Sequence, residues 1–309
     1  MRDVQPPAPR SRRRGVAAAL AVATAVGGGA SPVGGTAPPT PAGPPPAAGR
    51  GDDHVAGRAR FVCGNAALQS ARLAEAELFT RLAAEACERV GDRVILRQTL
   101  NDRGLIAQFQ HRYEDAVHCY DQAIELAEKL GHRSGELVTR LNAAQARLRG
   151  GRAEEALVAC AEALAALREV EDHHGAAYAL YVQGMALHEL GRYDEAVASH
   201  TQCLGLCEAW QFRGQESQTR FRLAETLRIT GRREEAVREA SRALVLCEQR
   251  GAERDQGLSL LVLGRTLADL GDFAVAAARA RQAHTLFTRL GLPDADHAAA
   301  LLTALGEPL

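Results

Sequence analysis

From about residue 55 onward, apolar side chains recur three and four positions apart, the period of one helix face, in segments separated by short glycine-bearing turns. Alternation of the two-residue kind is absent, so the pattern predicts helices and no credible strand. The small residues within these segments fall on a fixed grid. Ala76, Ala116, Ala156, Ala196, Ala236 and Ala276 stand 40 residues apart. Twelve positions before each lies Gly64, Gly104, Ala144, Gly184, Ala224 or Gly264, and seven after each lies a further small residue, from Ala83 to Ala283. Antiparallel helices approach closely only where side chains shrink, so these positions mark the crossings within a helix pair. Gly151, Gly191, Gly231 and Gly271 end the first helix of a pair, with Ala71 and His111 in the earlier turns, and Gly91, Gly131, Gly251 and Gly291 close the second. Acidic residues such as Glu154 and Glu155 open the second helix, where they meet the positive end of its dipole.

The motif is fullest at Gly184…Gly191-Arg192-Tyr193-Asp194-Glu195-Ala196…Cys203, and six occurrences keep one register. It resembles the tetratricopeptide repeat (TPR), an all-α family whose helix pairs stack into a right-handed α-solenoid. The resemblance covers roughly residues 55–305 and implies six repeats at 57–96, 97–136, 137–176, 177–216, 217–256 and 257–296, with a cap helix at 294–305. Two features depart from the family's usual form: the period is 40 rather than 34, and no proline ends the second helix. The long variant is similar to the C-terminal TPR arrays of high-GC bacterial transcriptional regulators. DNA and nucleotide binding do not carry over, because the domains responsible for them have no counterpart in the sequence.

The resemblance implies a concave groove lined by first helices, which binds a peptide or partner helix. The matching positions hold Asn65, Asn101, Gln108, Gln145, Arg149, Tyr178, Tyr181, Glu225, Arg228 and Arg265, with Asn142 one position off. Amide side chains can pair with an extended backbone, and arginines can fork onto carboxylates. The expected ligand is therefore another protein or peptide of acidic character.

Composition narrows the alternatives. There are 37 basic and 38 acidic residues, a balance that gives no general attraction to nucleic acid or anionic lipid. Lys129 is the sole lysine, so a Walker phosphate loop is excluded. His188-Glu189 lacks the second histidine of a zinc-protease helix, because Arg192 stands in its place. His200, Cys203 and Cys207 share a helix face, but their repeat equivalents include Ala240 and Ala243, so they read as buried stripe rather than metal ligands. The odd number of cysteines, 7, and the lack of a CxxC pair argue against a disulfide framework. No catalytic pair, metal or cofactor is expected. His173-His174 reads as a solvated link between repeats.

Residues 1–54 differ in kind. Pro and Gly dominate there after a basic cluster (Arg10, Arg12, Arg13, Arg14) and a mildly apolar run from Val16 to Val26. Such a segment reads as a disordered tail, with a signal segment as the alternative. The apolar run is too short to span a bilayer, so the expected location is cytoplasmic, or exported if residues 10–30 act as a signal. The oligomeric state is left open.

Overall fold

The computed structural model describes residues 50–69 and 72–308, so the expectations for residues 1–49 and for the turn at Ala71 lie outside the described residues. Among the described residues there are thirteen α helices and no strand. Twelve form antiparallel pairs: α1 (Arg50–Gln69) with α2 (Leu73–Val90), α3 (Arg93–Phe109) with α4 (Tyr113–Lys129), and α5 (Arg133–Arg149) with α6 (Ala153–Glu169). Then follow α7 (His173–Glu189) with α8 (Tyr193–Trp210), α9 (Arg213–Ile229) with α10 (Arg233–Arg250), and α11 (Glu253–Asp269) with α12 (Phe273–Arg289). A last helix, α13 (Asp294–Ala304), lies against α12.

First helices open at Arg93, Arg133 and His173, where a capping side chain sits just before them. Asp92, His132 and Asp172 each accept a hydrogen bond from the backbone N–H three residues on. At the start of the array, helix already runs from residue 50, inside the segment expected to be a tail. Asp53 there pairs with Arg89 of α2 at 3.1 Å, and His54 with Asp92 at 3.0 Å.

The turns are left-handed C-caps. Gly151 has φ 81° and the next N–H, that of Arg152, bonds back to the Arg147 carbonyl at 2.9 Å. His111, Glu171 and Gln211 hold the same conformation at φ 53–59° without glycine's freedom.

Within a pair, the crossing is set by size matching. A Cβ at Gly104 would lie 2.5 Å from the Tyr120 ring, and one at Gly184 would lie 2.4 Å from the His200 ring. Where the first-helix residue is Ala144 or Ala224, the residue opposite shrinks to Cys160 or Ala240, and all four are fully buried. Gly64 meets Thr80 in the same way, while Gly264 packs on the backbone of Ala276. Ala76, Ala116, Ala156, Ala196, Ala236 and Ala276 have no exposed surface, as close helix approach requires.

Between pairs the packing is one-sided. Each first helix touches the first helix of the next pair, whereas the second helices of successive pairs make no comparable approach. First helices therefore crowd on the inside of the curve and second helices splay on the outside. Burial follows: α7 buries eleven residues against six in α8, and α9 ten against four in α10.

Candidate functional site

The inner surface is crossed by a polar spine that links one first helix to the next. Asn65 donates to Asp102 at 3.3 Å, Asn142 to Asn101 at 3.0 Å, and Gln108 to Gln145 at 2.8 Å. Tyr178 reaches Asn142 by a long 3.5 Å contact. Further along, His188 meets Thr226 at 2.9 Å and Arg228 pairs with Asp269 at 2.9 Å. Arg265 sits 3.9 Å from Glu225, which also holds Arg222 at 3.2 Å.

The spine divides the residues expected to face a ligand. Asn101, Asn142, Tyr178 and Tyr181 are buried between neighbouring first helices, and the first three spend their polar atoms on one another. The helices approach too closely there for those groups to meet a peptide. Gln108 and Gln145 are half-buried and bonded to each other, and Asn65 is half-buried on Asp102. Glu225, Arg228 and Arg265 are half-buried and engaged in ion pairs. Arg149 alone of the set is exposed, with no ion pair or hydrogen bond.

Arg149 is also crowded. Desolvation by the groove walls lowers its pKa, repulsion from Arg222 lowers it further, and Arg254 adds to that repulsion, while Tyr181 and Tyr113 oppose them. The charged and phenolic groups that act on it belong to α4, α7, α9 and α11. For Arg222 desolvation pulls the pKa down, but Tyr181 and Glu225 outweigh it and the net direction is upward.

Arg222 and Arg254 were not legible as groove residues in the same way. Arg222 holds the repeat position of Asn142, two periods on, so the internal register could have revealed it. Arg254 has Gly214 and His174 as its equivalents, so the register gives no signal of it.

Other clusters resolve as packing. His200 is buried with neither ring nitrogen hydrogen-bonded, and desolvation lowers its pKa to about 3. Cys203 lies against the Ala177 carbonyl at 3.1 Å and Thr219 at 3.2 Å, and burial pushes Cys160 up to about 12. Among the described residues no group of three or more His, Cys, Asp or Glu could hold a metal. The expected solvated link at His173-His174 is corrected: both residues begin α7, His173 stacking on Trp210 at 4.2 Å and His174 edge-on to Phe212 at 4.8 Å. A depression of about 330 Å³ between α6, α7 and α8 opens on the outer side, away from the groove.

Residues 95–158 and 135–209 match the family model of the tetratricopeptide repeat. These are tetratricopeptide repeats. The TPR array is similar to the regulatory protein AfsR of Streptomyces griseus, at 28% identity over 249 residues, covering 81% of this chain. That match takes in 24% of the regulator, so the chain spans about a quarter of its length. A crystal structure of a Rap protein complexed with competence and sporulation factor superposes with a TM-score of 0.63 at 18% identity, over 82% of this chain and 74% of that one. NprR in complex with its cognate peptide NprX gives 0.60 at 14% identity, over 81% and 71%. At such identities the likeness is one of TPR fold. Among the described residues, no helix is long and apolar enough to cross a membrane.

Proposed function

We propose that this TPR array is a regulatory scaffold that holds an extended peptide or partner helix against the inner faces of its first helices. The observation that carries this is the asymmetry of the array. First helices converge and present half-exposed polar side chains, Gln145 and Arg228 among them, along one curved surface. A long chain laid in such a groove contacts several repeats at once, and each repeat needs to add only a small increment of binding energy. Two solved proteins of similar fold are in complex with a competence and sporulation factor and with a cognate peptide, which supports a peptide as the ligand class.

The test is position-specific photo-crosslinking in cells. A benzophenone side chain at Gln145 on the inside should form adducts with a partner polypeptide, and one at Glu162 on the outside should not. Adducts confined to the outer position would sink the reading.

A second reading, that the chain is a relative of TPR-bearing transcriptional regulators and acts on transcription through a partner, is favoured by the similarity to AfsR. It requires the crosslinked partner to be a DNA-binding or transcription protein.

A further inference from the structure

Arg97 holds a position that the other repeats give to small or apolar residues. Its equivalents are Gly57, Leu137, Ala177, Ser217 and Gly257, all of them buried. Arg97, near the start of α3, is buried as well, at 8% exposed. Among the described residues it makes no ion pair and no hydrogen bond, and its Nε is buried without a partner. The guanidinium is turned to the N-terminus of α5 in the next pair. A Cβ added at Gly135, the third residue of that helix, would lie 2.9 Å from Nη1 of Arg97 and 2.5 Å from the capping Nδ1 of His132.

A buried charge without a partner is costly, and this one also faces the positive end of a helix dipole. The carboxylates nearby leave it unrelieved. Asp102 acts on Arg97 along α3 without coming to ion-pair distance, and accepts from Asn65 instead. Glu136 of α5 is shared by Arg133 and Arg140, at 2.9 Å from each. The same helix end also keeps unused donors. In α3, α7, α9 and α11 the first amide bends back onto a turn carbonyl at 2.9–3.1 Å. The amides of Arg133 and Ser134 make no such bond among the described residues.

We propose that Arg97 and the first turn of α5 bind a small tetrahedral oxyanion, phosphate or sulfate. The guanidinium holds it from one side and the amides of Arg133 and Ser134 hold it from the other. A helix N-terminus and an arginine fork both suit such an anion. Its oxygens lie outside a single plane, so it meets donors from two directions better than a flat carboxylate does. Gly135 keeps the approach open, because a side chain there would fill the space beside the guanidinium. The bound anion ties α3 to α5, and so the second helix pair to the third.

Isothermal titration of the full chain at pH 7 with sodium phosphate, in chloride of matched ionic strength, should show one saturable site. Arg97→Leu, which installs the residue of the next repeat, should bind about tenfold or more weakly. Arg133→Pro deletes one amide donor where helices tolerate proline, and should bind more weakly than Arg133→Ala, which removes the side chain alone. Arg192→Gln, at an exposed position in another repeat, should bind as the parent does. Melting temperatures add a readout that a purely structural arginine would not give. In chloride alone Arg97→Leu should melt no lower than the parent, since it discards an unpaired buried charge. Phosphate should then raise the parent more than the variant, whereas a general salt effect raises both alike. The site is overturned by an absence of saturable binding, by an equal phosphate response in parent and Arg97→Leu, or by a lower melting temperature of that variant in chloride.

Discussion

Asp102 shows how far a single buried group can depart from its ordinary chemistry. It is 6% exposed, and desolvation raises its pKa from 3.8 to about 7, with Asn101 and Arg97 only partly offsetting the burial. Between those two values the folded state holds the proton more tightly than the unfolded chain does. Stability from this group therefore falls as pH rises across that window, and the loss is complete above about 7. Asp102→Asn should raise the melting temperature relative to the parent at pH 8, and the gain should vanish towards pH 4. A constant difference across that range would mean that Asp102 titrates normally. His200 pulls the other way, because its pKa of about 3 removes stability as pH falls below 6.5, but it is common to both proteins and cancels in the difference. None of this is visible in the sequence, where Asp102 is one acidic residue among 38.

At the level of the helix pair, the sequence was most informative, because crossing contacts lie at fixed separations. The grid of Gly and Ala marks where helices touch. It does not show that the opposite residue grows when the first shrinks to glycine, as with Gly104 and Tyr120 or Gly184 and His200. That reciprocity leads to a paired prediction. Gly184→Ala should destabilise the protein by roughly 1–3 kcal/mol, the usual cost of overpacking a filled core. His200→Ala in the same chain should recover most of it, read as the coupling in a double-mutant cycle of chemical denaturation. Additive losses would show that the two side chains do not compete for the same space. The burial of His200 was legible from its repeat equivalents, Ala240 among them, but its fit against Gly184 was not.

Across the whole molecule, each repeat depends on its neighbour, and the last interface is closed by α13. Ala298 and Leu302 of that helix are buried against Ala277, Ala280 and Phe287, which are themselves almost without exposed surface. Ending the chain after Pro293 would uncover this apolar face, and such a variant should elute larger than the parent in size-exclusion chromatography as concentration rises. An unchanged elution volume would mean that α12 tolerates solvent on that side. The sequence led to the expectation of a helix after Pro293, and α13 stands there. The groove was legible only in part, because local spacing says which face turns inward but not which residues from distant repeats meet there. Arg254 has no arginine at its equivalent positions, so no single repeat marks it.

The one-sided contact between helix pairs also has a mechanical side. Stitched along its inner edge and joined along its outer one only by scattered surface contacts such as Arg168 to Gln202, the array bends like a hinged strip whose hinge line is the polar spine. A small change of angle at each interface leaves the inner length nearly fixed and is magnified at the two ends. A chain laid across several first helices therefore acts as a tie along the strip, and its effect is read as the distance between the two ends of the array.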